Sequence, residues 1–492
     1  MNTYKYKRID IAEIVYLIYF MTLFGVKCIG LYEGMLLYNV ALVLGMLLFG
    51  TKVLLTNHTV LEYIAIGILI GMSLLVYRNT GEKGLLLYMT MMLGMKGVSL
   101  ARIEKWALMI VVTCFSVLTL ASITGLIDGR TTTSGNRLFS DVMLRHYLGY
   151  PNCNVTQTTF VILMMLLILV LGQRNSKVSI ISLIFIFIIN IYIYIYTVSS
   201  TGLISSVAFI LAYLVLMIVN KVGHFIGIEY MILYPFCMFI SIGLPLLVKG
   251  DLFWKLDSIL HNRMNYPHYW LTHEPITPFG VRFGEAPSAD YYIDSSFLYS
   301  FLQLGVVPCI VLTALMMGMI YNLIRHNRRV ELAVVFGLCI LGLSDPFFYN
   351  LSYKNILFLF VGDLFYQWLE KLSYHLPSAL KKEICILKIG MKEIDYSSFW
   401  MYRIWNAAFN FFGKVFSIKG SKHLLTFVIS VFAIFAVSFA VVSPGAVVGA
   451  VNTLEEWEYF RKTLSIGVWS GLIIMFISAK IDISREKTIG KC

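Results

Sequence analysis

Val178-Ser-Ile-Ile-Ser-Leu-Ile-Phe-Ile-Phe-Ile-Ile-Asn-Ile-Tyr-Ile-Tyr-Ile-Tyr-Thr197 is a run of twenty residues without a single charge. At about 1.5 Å per residue, a helix of that length spans about 30 Å, the thickness of bilayer hydrocarbon. Backbone groups in lipid must find partners within their own segment, so the run reads as a membrane-crossing helix. Working outward from it, similar blocks recur at 10–27, 34–51, 59–77, 84–100, 106–125, 157–172, 202–219, 228–248, 295–323, 330–349, 355–370, 424–442 and 463–480. The whole chain agrees: of 492 residues, 59% are apolar and 13% charged, against roughly 45–50% and about 25% in a soluble domain. An ordinary soluble protein is excluded. Eight scattered cysteines without a CxxC pair exclude a disulfide framework and a zinc ribbon. The expected fold is an all-α polytopic integral membrane protein with about 14 transmembrane helices.

Lysine and arginine set the orientation, because cytoplasmic loops keep the positive charges. Starting inside at Lys5, Lys7 and Arg8, alternation leaves Lys52, Arg102, Lys105, Arg174, Lys177, Lys221, Arg325, Arg328, Arg329 and the basic residues from Lys371 to Lys422 inside. Both termini are expected in the cytoplasm. The net charge of +12 then reflects topology and anionic lipid, and no compact basic face suggests nucleic acid. The first block follows basic residues as a secretory signal would, but no small-residue cleavage site follows, so it is expected to be retained as a helix. Lys96, near the inner end of its span, is expected to snorkel to the cytoplasm.

Two of the outer connections are long, 126–156 and 249–294. They carry Arg130, Arg137, Arg145, Arg263 and Arg282, the histidines His146, His261, His268 and His273, and Tyr147, Tyr150, Trp254, Tyr266, Tyr269, Trp270, Tyr291 and Tyr292. Arginine offers a planar fork of donors to phosphate, while tyrosine and tryptophan stack on sugar faces and also anchor at headgroup level. The combination suits a substrate bearing both phosphate and sugar, although the same residues also suit lipid headgroups and an interfacial aromatic belt.

Several motifs narrow the choice. Arg145-His-Tyr-Leu-Gly-Tyr-Pro-Asn-Cys-Asn154 precedes a span. Leu256-Asp-Ser-Ile-Leu-His-Asn-Arg263 is followed, after a polar stretch, by Tyr292-Ile-Asp-Ser-Ser-Phe-Leu-Tyr-Ser-Phe-Leu-Gln-Leu-Gly-Val-Val-Pro308. Val198-Ser-Ser-Thr-Gly-Leu203 and Leu343-Ser-Asp-Pro-Phe-Phe-Tyr-Asn-Leu351 lie at the outer ends of two further spans. In order, spacing and sidedness this set resembles the bacterial Wzy-type polysaccharide repeat-unit polymerases and the related O-antigen ligases, above all the Gram-positive capsule and exopolysaccharide type. The resemblance covers roughly residues 10–370, with Asn152 or Asn154 in the place of the family's asparagine. It implies a 1–370 transmembrane polymerase-like domain; beyond its reach, the residues themselves read as a basic amphipathic cytoplasmic segment at 371–423 and a two-helix extension at 424–492.

The resemblance further implies a glycosyltransferase of the bacterial cytoplasmic membrane. It would join polyprenyl-diphosphate-linked oligosaccharides, as donor and acceptor, on the outer face. A diphosphate leaves without protonation, so the site must hold it, present the acceptor hydroxyl and take up that hydroxyl's proton. No Asp-x-Asp pair lies on the outer side, so arginine rather than a metal is expected on the diphosphate, and no cofactor is expected. The expected substrate ligands are Arg145, Arg263 and Arg282, then Arg137, with His146, Asn152 and Tyr292. The expected base is Asp294, at the position where the related ligases carry a histidine. Asp294 can equally serve as a helix N-cap. Asp290, four residues earlier, is placed to raise its pKa, and His273, His268 and Asp345 are alternatives.

Ile384, Leu387, Met391 and Ile394 recur at helical spacing among Lys381, Lys382, Lys388 and Lys392, as in a helix lying in the inner interface. Glu455, Glu456 and Glu458 read as a solvated outer loop. A flippase and a chain-length regulator are conceivable partners. The competing functions are a lipid-linked oligosaccharide flippase, an O-antigen-type ligase and a non-enzymatic assembly scaffold.

Overall fold

Runs this apolar have one economical conformation in hydrocarbon, and the computed structural model is mostly helical. It describes residues 8–127, 129–135, 142–172, 180–219, 227–260, 262–288, 291–387, 394–395, 400–415, 421–441 and 453–489. In chain order the helices are α1 (Ile11–Cys28), α2 (Leu36–Leu55), α3 (Val60–Thr80), α4 (Gly84–Leu93), α5 (Leu100–Ile123), α6 (Cys153–Gly172), α7 (Ile180–Thr197), α8 (Ser200–Val219) and α9 (Gly227–Met238). They continue as α10 (Leu244–Leu247), α11 (Gly250–Leu260), α12 (Asn265–His273), α13 (Ser296–Leu302), α14 (Val306–Arg325), α15 (Arg329–Gly342), α16 (Leu357–Ser373), α17 (Trp400–Val415), α18 (Ser421–Val441) and α19 (Thr453–Ile489). Six short strands pair as three antiparallel ribbons: β1 (Arg8–Ile9) with β6 (Ile394–Asp395), β2 (His58–Thr59) with β5 (Glu383–Ile384), and β3 (Thr131–Gly135) with β4 (Val142–His146).

Each of the fourteen apolar windows holds helix. Among the described residues, ten helices are long and apolar enough to cross a membrane. The four windows outside that group fold as α4, α7, α15 and α16. Helix α7 keeps its helical backbone through the β-branched Ile-Tyr alternation of Ile191–Tyr196, because lipid rewards a segment that satisfies its own backbone. Helix α4 is only ten residues long and buried along nearly all of it, so it lies among its neighbours rather than in lipid. Gly362 of α16 lets that helix reach α4, where a Cβ would come within 2.7 Å of the Met92 carbonyl oxygen.

The chain forms two compact units. Unit 1 comprises Met1–Phe115 and Ile204–Tyr396. Its core uses tyrosines tied by their hydroxyls: Tyr16 donates to the Met91 carbonyl at 2.6 Å, Tyr353 to Tyr19 at 2.9 Å and Tyr88 to the Phe347 carbonyl at 2.8 Å. Helix α3 opens with a capping box between Thr59 and Glu62, which satisfies amide groups that would otherwise face hydrocarbon. At the end of unit 1 that carries the start of α3, Lys96 forms an ion pair with Glu62. One expectation changes there: Glu383–Ile384 is a β-strand rather than part of a helix, and residues 388–393 of that expected helix lie outside the described residues. Val60 N–H donates to the Lys382 carbonyl at 3.1 Å and Leu387 N–H to the Leu54 carbonyl at 3.0 Å. Backbone pairing to the α2–α3 turn outcompetes the helical pattern of apolar residues there.

Unit 2 comprises Ser116–Leu203 and Ser397–Cys492. Helices α18 and α19 pack closely because Gly467 and Gly471, a GxxxG pair, leave no side chain between them. A Cβ on Gly467 would sit 2.8 Å from the Val431 carbonyl oxygen, the small-residue contact that suits helix association in lipid. Inside the unit, Gln157 donates to Asn190 and accepts from Thr197, both at 2.8 Å, and all three residues are fully buried.

Candidate functional site

In unit 1 the long connection 249–294 folds on itself through local polar contacts. Beyond α11, Asn262 has a φ of 63°, the left-handed conformation that asparagine tolerates. Its N–H returns to the Asp257 carbonyl at 3.1 Å. The Asp257 carboxylate accepts from the N–H groups of Met264 and Asn265 at 2.9 and 2.8 Å, holding the start of α12 where free amides attract negative charge. Arg263 is fixed in the turn between these two contacts. Trp270 and Leu271 of α12 then pack with Leu298 and Leu302 of α13, supported by Phe283, Tyr291 and Ile293. That small core holds the returning strand of chain, and with it Asp294, beside the turn.

Arg263 Nη2 lies 3.6 Å from Asp294 Oδ2, with both side chains about one-third exposed (32% and 27%). The remaining ties of the guanidinium are slight. Nη1 donates to the Leu260 carbonyl at 3.3 Å, and the buried Nε has no partner among the described residues. Asp294 does not cap α13, because Ser295 does, accepting from the Phe297 N–H at 3.3 Å and donating to Ser241 at 2.8 Å. Ser241 belongs to a single π-helical turn, Phe239–Gly243, a local insertion of the kind that re-aims side chains near functional sites. With capping handed to its neighbour, the Asp294 carboxyl responds to its surroundings. Burial pushes its pKa up to about 6, against the opposing pull of Arg263.

Tyrosine and amide groups flank the pair. The Tyr266 ring lies 4.6 Å from that of Tyr291 and 6.4 Å from that of Tyr292, which is 57% exposed. Asn262 donates to the Tyr266 hydroxyl at 2.9 Å and Asn265 to the Tyr291 hydroxyl at 3.4 Å. The patch combines exposed ring faces, amides, a guanidinium and a carboxylate poised near neutrality. Those are groups that bind a sugar, hold a phosphate and accept a proton.

The other expected residues of unit 1 are placed differently. Asp345 uses its carboxylate to cap the short 3-10 turn Pro346–Phe348, accepting from Phe347 N–H at 3.0 Å. His273 stacks on Tyr269, ring centroids 4.1 Å apart, with Nδ1 2.9 Å from the Tyr269 carbonyl oxygen. His268 Nδ1 lies 2.9 Å from the Pro245 carbonyl oxygen. Arg282 lies against Gly81, the left-handed cap that ends α3, where a cation meets the negative end of the helix dipole. Asp290, Arg137 and His261 lie outside the described residues. Sequence reasoning missed Glu82, which accepts from Tyr299 at 2.8 Å and from Gln303 at 2.9 Å and so ties the α3–α4 connection to α13.

In unit 2 the β3–β4 ribbon sets Arg145 opposite Thr132 and His146 opposite Thr131. Arg145 Nε donates to the Thr197 carbonyl at 2.8 Å and Nη2 to Asn154 Oδ1 at 2.9 Å. Asn152 accepts from the Asn154 N–H at 2.8 Å. Arg461, unforeseen and fully buried, donates from Nε to the Ile195 carbonyl at 2.9 Å. The C-terminal carbonyls of α7 therefore receive two guanidiniums. Glu458 is not solvated as expected. It lies 2.9 Å from His146 Nε2 and 2.5 Å from Arg461 Nη1.

Among the described residues, no three histidine, cysteine, aspartate or glutamate side chains group in a way that would hold a metal ion. Comparison with protein-family models, with curated proteins and with solved structures finds nothing that matches this chain.

Proposed function

We propose that the chain is a membrane glycosyltransferase that elongates a surface polysaccharide from polyprenyl-diphosphate-linked repeat units, at the outer face of a bacterial cytoplasmic membrane. The observation that carries this reading is the Arg263–Asp294 pair: a carboxylate relieved of capping, with its pKa raised by burial, beside a guanidinium whose Nε has no partner among the described residues. In the proposed step, an acceptor hydroxyl oxygen bonds to the donor's anomeric carbon as the bond from that carbon to the diphosphate breaks. The electron pair leaves with the diphosphate and the hydroxyl proton passes to the Asp294 carboxylate. A single displacement inverts the anomeric centre. Arg263 supports the departing anion, and Tyr266, Tyr291 and Tyr292 offer ring faces to the sugars. A base is most effective when its pKa lies near the working pH, which an ordinary exposed aspartate does not achieve.

The test supplies detergent-purified protein with a polyprenyl-diphosphate repeat unit. A ladder of chain lengths supports elongation. One transfer to a foreign acceptor indicates a ligase, and movement across vesicles without new glycosidic bonds indicates a flippase.

A further inference from the structure

Helix α1 ends with Lys27 and Cys28. A lysine so close to the end of a membrane helix ordinarily extends toward water. Lys27 does the opposite: it is only 9% exposed, and its ammonium sits 4.0 Å from the centroid of the Tyr38 ring of α2. Tyr38 is 1% exposed, and its hydroxyl, buried, has no hydrogen-bond partner among the described residues.

A second lysine is buried close by. Lys354 is buried as well, at 4% exposure, and its charge repels that of Lys27. Burial holds the Lys354 ammonium below the ordinary lysine range, while Asp345 pulls the other way. Glu33 is engaged by Lys83 in an ion pair. The α1 helix dipole favours a cation here but acts equally on a lysine extended into solvent, and a cation over a ring recovers only about 2 kcal/mol. A hydroxyl buried without a partner costs more than that unless one is supplied.

We propose that the end of α1 holds a phosphate oxygen of a lipid, bound between the Lys27 ammonium and the Tyr38 hydroxyl. The lipid follows from the opposite face of α2, where Leu36, Leu37, Val40, Val43, Leu44 and Leu47 are exposed. An acyl or polyprenyl chain lying along that face brings its phosphate to the helix end, the level at which basic pockets between membrane helices take headgroups. The site is separate from Arg263 and Asp294 and stands whether or not the chain transfers sugars.

Native mass spectrometry of the full chain in detergent, exchanged against phosphatidylglycerol, a polyprenyl monophosphate or uncharged diacylglycerol, reads the site. The wild type is expected to keep one phosphate-bearing lipid at least tenfold more tightly than diacylglycerol. Lys27→Met should lose that preference, Tyr38→Phe should weaken it severalfold, and Lys27→Arg should restore it. Retention of phosphatidylglycerol alone identifies a membrane headgroup as the source, and retention of the polyprenyl phosphate alone identifies a carrier lipid; either supports the site. Melting curves guard against misfolding. Without lipid, Lys27→Met should melt no lower than the wild type, and it should lose the stabilisation that phosphate-bearing lipid gives. Undiminished retention by both Lys27→Met and Tyr38→Phe, or equal retention of diacylglycerol by the wild type, would overturn the proposal.

Discussion

The two long connections, 126–156 in unit 2 and 249–294 in unit 1, look alike as sequence, for each brings arginines, histidines and tyrosines to the end of a helix. As structures they differ in what their arginines do. Arg145 is spent on the Thr197 carbonyl and Asn154, so it holds a hairpin to a helix end. Arg263 has one long contact to a carbonyl, a buried Nε without a partner among the described residues, and a carboxylate 3.6 Å away. Arg145 of unit 2 is tied to its surroundings through two donors, whereas the loosely held donors of Arg263 beside a carboxylate of raised pKa in unit 1 are suited to a ligand. The type of residue is the same, and its hydrogen-bond count separates the roles.

The largest effect that can break this contrast is expected at Asp294. Asp294→Asn should lower elongation by at least about 100-fold, the scale of a lost general base, while leaving membrane insertion and melting behaviour intact. Because the folded pKa lies above the usual 3.8, at about 6, folding binds the proton. The stability this group contributes is fully present below pH 3.8 and is lost as pH rises through about 6. At pH 7 the asparagine variant should therefore melt at the same temperature as the wild type or higher, and thermal melts in detergent at pH 4 and pH 7 check this.

Next comes Arg263. Its charge pulls the Asp294 pKa down, so Arg263→Gln should lower the rate and also move the rising limb of the pH–rate profile to higher pH. A loss of rate with an unmoved limb would mean that the guanidinium acts only on substrate. Arg145→Ala, by contrast, should act on stability: losing a charged donor to a carbonyl costs about 1.5–3 kcal/mol, read as a lower melting temperature with activity per folded molecule retained. The smallest effect sharpens the view of the turn that presents Arg263. Asn262→Gly keeps the left-handed backbone free of strain and should lose only the exposed hydrogen bond to Tyr266, whereas Asn262→Val should cost about 1–2 kcal/mol more in backbone strain.

Much of the fold was legible because uncharged runs of this length permit little except helix. Breaks within runs were less so. Gly305, at φ 96°, separates α13 from α14 inside one apolar window, and a π-helical turn interrupts another. The residues 383–387 misled because their apolar spacing is helical, whereas their backbone is claimed by the distant segment His58–Thr59. In the candidate site, Asp294 and Arg263 were readable from motif position, but the pairing was not, since it depends on Asn262 turning the chain and on Trp270 and Leu271 packing against α13. Nor could sequence tell which of Asp294 and Ser295 caps the helix. Both residue types favour that position, and Ser241, 54 residues earlier, supplies the contact that holds Ser295 in place. Arg461 was invisible for a related reason: what marks it is full burial against the carbonyl of Ile195, a residue of another helix.

The most direct test of the central claim is the pH dependence of a single round of sugar transfer from a polyprenyl-diphosphate donor, measured for the wild type and for Asp294→Asn. The account predicts a wild-type rate that climbs with a midpoint near 6 and then levels, and a residual rate in the variant that does not change across the same range. Equal rates in the two proteins, with the same rising limb, would contradict it.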